Sequence, residues 1–324
     1  MHKTNAIVLP MRILVTGAGG FVGQFLLAEL LAAGHDVSAA SHAPWEAPPG
    51  VATQVFDIRE AGAVTEAVGR AEPDAVIHLA AQASPRLSWQ FPDDTYAINV
   101  TGTSHLLEAL VARPETRVLL VGSAQEYGFG RQDRAILETD TLQPRSPYGV
   151  SKVAQELVGA LYRQQYGMPV LVARPFNHTG PGQSTEYAVG AFSAQLVAIE
   201  RGDQPPVMKV GWLQARRDFL DVRDVVVAYR LLAERGTSGE VYNVASGNAE
   251  RIGGLLDILL HAAGLDGKVE VTAEREPRPG DPEVLVGDAS KLREGLGWAP
   301  AIPLPVSLAE TLDWYRARPP GTHR

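Results

Sequence analysis

The sequence predicts a doubly wound, mostly parallel α/β sheet with a smaller α/β unit interwoven at its C-terminal end. Three observations carry this. Short, continuously apolar, β-branched runs alternate with longer helical patterns, as strands buried on both faces by crossover helices do. A glycine-rich turn joins the first run to the first helix. After Pro175 the alternation loosens into "NHTGPGQSTEYAVG" and "GDQPPVMKVGWLQARRDFLDVRD", where a second unit would begin.

Taken in order, "RILVTG" (12–17) reads as a buried strand and "FVGQFLLAELLAAG" (21–34) as its helix, stopped at Gly34. Further strands are expected at 36–41, 53–57, 74–80, 117–123 and 169–175, and an amphipathic helix over 97–112. The Pro-rich "EREPRPGDP" (274–282) precedes two short helical segments. With no repeat and no long linker, the units are expected to share the chain. One takes 11–175 plus about 218–245, the other about 176–217 plus 246–324, and residues 1–10 form an extension before Met11.

The 324 residues are 45% hydrophobic and 20% charged, enough for a large core. A net charge of −8 argues against nucleic-acid or anionic-membrane partners. The absence of cysteine excludes disulfides, thiolate nucleophiles and cysteine-ligated metals. No His/Asp/Glu cluster suggests a metal site, and His78 reads as a strand residue. No apolar run reaches the roughly 18 residues of a membrane span. "MHKTNAIVLP" is too short in apolar residues for a secretory signal, so a cytoplasmic protein is expected.

"GAGGFVG" (17–23) does not fit G-x-G-x-x-G, because its sixth position is Val22; it fits G-x-x-G-x-x-G with Gly17, Gly20 and Gly23. A tight turn and close backbone approach, set between strand and helix, suit a pyrophosphate at a helix N-terminus, so the sheet is Rossmann-like and its ligand a dinucleotide. An NAD site usually carries an acid at the end of the second strand. Here that strand ends "AASHAP", with Ser41 and His42 in the acid's place and Asp36 at the wrong end. Nothing repels a 2′-phosphate, so NADP(H) is favoured and NAD(H) stays possible, although no arginine is evident to clamp the phosphate. Asp57 is open between a bond to the adenine amine and a cap on the next turn.

In "SPYGVSKVAQELV" (146–158), Tyr148 and Lys152 are spaced i, i+4 and share a helix face. Such a pair alone suits an ordinary helix surface. Ser123, at the end of a predicted strand, would stand at the same sheet edge. Lowering a tyrosine from about 10 to about 7 takes roughly 4 kcal/mol. An ammonium about 4 Å away at an effective dielectric near 20 contributes about that much.

The glycine turn, "HLAAQ" (78–82), "NVTGT" (99–103), Ser123 and Tyr148-x-x-x-Lys152 stand in the order of the extended short-chain dehydrogenase/reductases, and the resemblance covers the chain from Met11 onward. The second half resembles the GDP-mannose 4,6-dehydratase group. Within it, "RPFNHTGPGQ" (174–183) and "VGWLQARRDFLDVRD" (210–224) are most similar to the reductase branch, the GDP-6-deoxy-D-mannose reductases.

That resemblance implies Tyr148 as acid/base, Lys152 on the nicotinamide ribose, and Ser123 on the reacting oxygen. It implies cofactor contacts from Gly17, Gly20, Phe21, Val22 and Gly23, and from Ser41, His42, Asp57 and Ile58. Leu79, Ala80, Ala81, Asn99 and Pro175 complete them, with Tyr148 and Lys152. A GDP-sugar substrate would meet Ser84, Arg86, Gln125, Asn177, Lys209, Arg217 and Arg278; arginine suits its diphosphate, while Arg216 reads as a surface charge. The family's four-helix interface implies a homodimer, here through stripes of Leu106, Leu107 and Leu110 and of Val153, Leu157 and Leu161.

One departure bears on the reaction. The dehydratases carry a glutamate two residues after the catalytic hydroxyl, where "GSAQEYG" (122–128) has Gln125, and an amide does not exchange a proton as a carboxylate does. Glu126 is adjacent but, on an extended segment, would face the other side. The implied activity is NADP(H)-dependent reduction of the C4 ketone of a GDP-4-keto-6-deoxy-hexose, giving GDP-D-rhamnose. The alternatives are a 4-epimerase holding NAD, a 4,6-dehydratase, and a non-catalytic dinucleotide sensor.

Overall fold

The computed structural model describes residues 9–274 and 282–319. Seven parallel strands form the central sheet: β1 (Arg12–Thr16), β2 (Asp36–Ser41), β3 (Ala52–Val55), β4 (Ala75–His78), β5 (Arg117–Val121), β6 (Val170–Pro175) and β7 (Val241–Val244). Their spatial order is β7-β6-β5-β4-β1-β2-β3. The chain winds outward in both directions from β1, so a crevice opens at the carboxyl ends of β1 and β4, where such sheets bind ligands. The interior strands are strands because both faces are covered: every residue of β4 and β6 is buried. The short run 241–244 was not foreseen as a strand; it pairs with β6 through Val241↔Val172 to Val244↔Pro175 and closes that edge.

Eight longer helices are α1 (Phe21–Ala32), α2 (Ala61–Ala71), α3 (Gly102–Ala109), α4 (Pro147–Tyr166), α5 (Ala188–Glu200), α6 (Val222–Arg235), α7 (Ile252–Ala262) and α8 (Leu304–Arg316). Leu26, Leu27 and Leu30 of α1 and Val225, Tyr229 and Leu232 of α6 build one core against the sheet. Val64 and Val68 of α2, Leu106 and Leu107 of α3 and the adjoining Leu110 build the core on the other face. A third core joins α5, α7 and α8 through Phe192, Leu196, Leu255, Leu259, Leu308 and Leu312. It lies beyond a three-residue parallel pair, Asn177–Thr179 with Phe219–Asp221.

Two expectations change here. Leu106, Leu107 and Leu110 are fully buried within the chain, so that stripe is core and not a surface for a partner. The helix expected over 97–112 is interrupted: Ala97–Thr101 forms a π-helical turn before α3. Asn99 sits in that turn, fully buried, and it answers to the loop after β4. His78, at the end of β4, is a strand residue as expected. Its ring nitrogens meet Thr16 Oγ1 at 2.7 Å and Thr103 Oγ1 at 3.0 Å, and burial pushes its pKa down to about 3.

Candidate active site

Gly17 turns the chain with φ +71°, and a Cβ there would meet Ala80 N at 2.6 Å. Gly23 presses α1 onto the turn, since a Cβ would stand 2.3 Å from Ala18 O. Gly20 ends the turn in extended conformation and contributes no side-chain cap, leaving the first N–H groups of α1 facing the crevice. Backbone donors with no side chain over them fit a pyrophosphate. The crevice holds about 1320 Å³, more than the roughly 300–1,000 Å³ of a single ligand site. A dinucleotide and a second nucleotide therefore fit it together.

At the β2 end the crevice is lined by Ser41 and His42, as expected, and also by Trp45, Asp57, Ile58 and Arg59. Arg59 corrects the expectation that no arginine stands there. Pairing of Ser41 with Val55, and the Phe56 N–H to Ser41 O bond at 3.0 Å, carry residues 57–59 beside the end of β2. Arg59 rests on Asp57 at 2.6 Å and Asp94 at 3.2 Å. Asp57 Oδ1 accepts the Arg59 N–H at 2.9 Å, so it caps its turn, and the Arg59 hydrogen bonds hold its carboxyl below the usual range. The Trp45 indole N–H is buried without a hydrogen-bond partner. Phe21 and Val22 line the crevice from α1, with the Phe21 ring stacked parallel on His178 at 6.3 Å.

Leu79, Ala80 and Ala81 line the opposite wall, and Pro175 the floor; Asn99 does not reach it. Asn99 Oδ1 accepts the Gln82 N–H at 2.8 Å, and its Nδ2 donates to Gln82 O at 3.1 Å and Ser151 Oγ at 2.9 Å. It thereby ties the loop after β4 to α4, a bracing position and not a ligand contact.

Tyr148 and Lys152 lie in the first turns of α4, which starts where Ser146 accepts the Gly149 N–H at 3.1 Å and Pro147 presets the first φ. β5 stops at Val121, short of the expected 123, and Ser123 caps the turn that follows; Ser123, Gln125, Tyr148 and Lys152 all line the crevice. Burial pushes the Tyr148 phenol up, opposed by a hydrogen bond with the Ser123 hydroxyl. Lys152 Nζ donates to Val121 O at 2.7 Å and Gln155 Oε1 at 2.9 Å, and lies 5.9 Å from the Tyr148 ring centroid. Two of the ammonium protons are thus held by Val121 and Gln155, and burial keeps the phenol above its ordinary value and not lowered toward 7. Burial lowers Lys152 to about 8.

The reason given for Glu126 also changes. Residues Ala124–Tyr127 form a 3₁₀ turn, not an extended segment. Glu126 nevertheless points away from the crevice, because its Oε1 accepts the Ser123 N–H at 2.6 Å. Gln125 alone of the two lines the cavity.

Toward the substrate end, Asn177, Lys209, Arg217 and Ser84 line the crevice. Asn177 Nδ2 donates to Asp218 O at 3.1 Å; Ser84 caps the short helix Pro85–Gln90 by accepting the Leu87 N–H. Arg217 is buried, its Nη1 donating to Arg216 O at 2.9 Å and Glu283 O at 3.2 Å. Arg86 departs from expectation: it is half-exposed outside the lining and pairs at 3.0 Å with Glu186, which does line it. Arg278 lies outside the described residues. Sequence reasoning passed over Trp45, Arg59, Gln183, Glu186, Tyr187, Trp212 and Glu274, all of them in the lining. Only Arg59 left a signal, two residues beyond Asp57.

Comparison with known proteins agrees with this geometry. The family model described as GDP-mannose 4,6 dehydratase matches residues 14–311. GDP-6-deoxy-D-mannose reductase of Pseudomonas aeruginosa is 35% identical over 312 residues, covering 94% of this chain and 98% of that protein. The structure of RMD from Pseudomonas aeruginosa complexed with NADPH superposes with a TM-score of 0.84 at 34% identity, covering 95% of this chain and 99% of that one. The Thermus thermophilus UDP-glucose 4-epimerase complex with NAD superposes at 0.85 with 29% identity, covering 94% and 99%.

Proposed function

The chain belongs to the GDP-mannose 4,6-dehydratase family of extended short-chain dehydrogenase/reductases, and from that premise we propose that it is an NADP(H)-dependent oxidoreductase. Its reaction is reduction of the C4 ketone of a GDP-4-keto-6-deoxy-hexose to GDP-D-rhamnose, in the cytoplasm. One observation carries the choice of reaction: the crevice presents Ser123, protonated Tyr148 and Lys152 around an amide, Gln125, while the neighbouring carboxyl of Glu126 is turned away. A phenol, protonated at neutral pH, has a proton to give a carbonyl oxygen, whereas eliminating water calls for a carboxylate beside the Ser123 hydroxyl, where Gln125 stands.

Bound NADPH supplies the hydride to the ketone carbon. Ser123 donates a hydrogen bond to the carbonyl oxygen, Tyr148 gives it a proton, and Lys152 holds the ribose and stabilises the negative charge left on the tyrosine. Gly17, Gly20 and Gly23 admit the pyrophosphate, and Arg217, Asn177 and Lys209 receive the diphosphate of the sugar nucleotide. The test offers GDP-mannose and, separately, its 4-keto-6-deoxy derivative with NADPH. Oxidation of NADPH with the keto sugar alone supports the reading; water loss from GDP-mannose overturns it. Tightly retained NAD, as in the epimerase relative, would favour epimerisation.

Cofactor choice rests on Ser41 and Arg59. Arg59 turning from Asp57 and Asp94 to a 2′-phosphate makes charge-assisted hydrogen bonds, worth about 1.5–3 kcal/mol. Arg59→Ala is therefore expected to weaken NADPH binding about 10–100-fold and leave NADH binding nearly unchanged, as titration of both cofactors would read. Equal loss for both would sink this assignment.

The same reading includes a homodimer. Val150, Leu157 and Leu161 stand exposed on α4, the last two 66% and 61% accessible, with Trp89 and Phe91 also exposed. Leu157→Arg is expected to convert a dimer to monomer in light scattering at micromolar concentration; a monomeric unmodified protein removes the dimer from the reading.

A further inference from the structure

Behind Ser123 lies a buried charged cluster of which the chemistry above uses only Lys152. It grips three successive residues at the end of β5. Val121 O accepts from Lys152 Nζ at 2.7 Å, and the Ser123 N–H donates to Glu126 Oε1 at 2.6 Å. Between them, a Cβ on Gly122 would come 2.5 Å from Glu126 Oε1 and 3.0 Å from Glu156 Oε1. Two carboxyl groups therefore converge on one spot, one from the 3₁₀ turn and one from α4.

Arg174 of β6 is ion-paired with both, but hydrogen-bonds only Glu156. Its Nε and Nη2 donate to the two oxygens of Glu156 at 2.8 and 2.6 Å, and its Nη1 goes to Tyr127 Oη at 2.9 Å and Glu138 O at 3.2 Å. Arg174 Nε is also 3.2 Å from Glu126 Oε2, but its single proton serves Glu156. Glu126 Oε2 is enclosed and accepts no hydrogen bond. A carboxylate there would keep an unsatisfied charged oxygen beside a second carboxylate. A carboxylic acid would not, because its hydroxyl becomes a donor and Glu156 an acceptor. Burial, and after it the charge of Glu156, raise the Glu126 carboxyl well above its ordinary value.

We propose that Glu126 stands as the neutral acid and is a positioning residue for Ser123, its carbonyl oxygen taking the Ser123 N–H while its hydroxyl donates to Glu156. The grip fixes where the Ser123 hydroxyl meets the reacting oxygen. The charged and titratable groups facing it are Glu156 and Lys152 of α4, Arg174 of β6, Tyr127 of its own turn and Tyr148 across Ser123. With Glu126 neutral, Glu156 is the carboxylate that faces both Arg174, which it pairs directly, and Lys152.

Infrared difference spectroscopy of the unmodified protein against Glu126→Gln tests the protonation directly. A protonated-carboxyl C=O band is expected at neutral pH and should vanish in the variant; its absence from the unmodified protein overturns the proposal. The kinetic arms rest on the ketone reduction proposed above. Glutamine keeps one acceptor and one donor in place, so Glu126→Gln should retain most of kcat with an unchanged pH profile. Glu126→Met keeps the bulk and loses both bonds, and should lower kcat by tenfold to 10²-fold, the scale of a misplaced reacting group, with little change in NADPH affinity. Damage by glutamine equal to that by methionine, a displaced pH profile in Glu126→Gln, or full activity in Glu126→Met each overturns it. If the methionine variant does not fold, the infrared and glutamine arms decide. An unmodified protein that ignores the keto sugar defeats the proposed reaction while leaving the infrared result to stand or fall alone.

Discussion

Tyr148→Phe is expected to lower turnover about 10²–10⁴-fold, the usual contribution of a positioned general acid, while leaving NADPH and sugar-nucleotide affinity nearly unchanged. The ring is buried in the first turn of α4, so phenylalanine preserves its packing and removes one hydroxyl. That hydroxyl is the group hydrogen-bonded with Ser123, and burial keeps its proton on. Hydride arriving at a ketone carbon leaves an alkoxide unless a proton arrives with it, and without Tyr148 the hydroxyl left in its place is Ser123, a far weaker acid than a phenol. The loss should fall equally on kcat and kcat/KM, the mark of an interaction made in the transition state alone. A variant with raised KM and intact kcat would mean that Tyr148 binds and does not donate.

The second large effect is expected from Lys152→Met: a comparable loss of turnover together with weaker cofactor binding. Lys152 is buried, and its ammonium holds Val121 O and Gln155 Oε1. Methionine of similar length fills the space but leaves both acceptors without their donor and takes away the contact assigned to the nicotinamide ribose. Burial lowers this lysine to about 8, so its charge is present below that pH and lost above it. The kcat/KM for NADPH, which reports groups of the free enzyme, should accordingly fall as pH rises through about 8, and that limb should disappear in Lys152→Met. A limb that survives the substitution would assign it to another group.

The strands were legible because burial on both faces writes itself as unbroken apolar runs, and β1, β2 and β5 begin where the runs begin. The Tyr148/Lys152 pair and Ser123 were legible because they sit at helix starts and strand ends, where the topology brings separate segments to one edge. The rest depended on pairings that spacing does not encode. Arg59 enters the crevice only because β3 lies alongside β2. Glu126 turns inward because its carboxyl finds the Ser123 N–H and so winds the segment into a 3₁₀ turn. Arg86 leaves the crevice because Glu186, a hundred positions along the chain, draws it to the rim. An apolar stripe reads alike whether a sheet or a partner covers it, which is why Leu106 and Leu157 looked equivalent and are not.

The three-residue parallel pair between Asn177–Thr179 and Phe219–Asp221 works as a neck. Residues 180–218, with α5, Lys209 and Arg217, depart and rejoin at that pair, Asn177 standing beside Phe219 and Thr179 beside Asp221, and pair on the way with Glu270–Ala273 and Val284–Leu285. Chain that departs and rejoins at neighbouring positions changes length at small entropic cost to the rest. Ser123, Tyr148, Lys152 and the glycine turn all lie outside the neck. A lineage, or an engineer, is thereby handed a cassette that is exchanged together with the surfaces of α7 and α8 on which α5 packs, while the sheet is inherited unchanged.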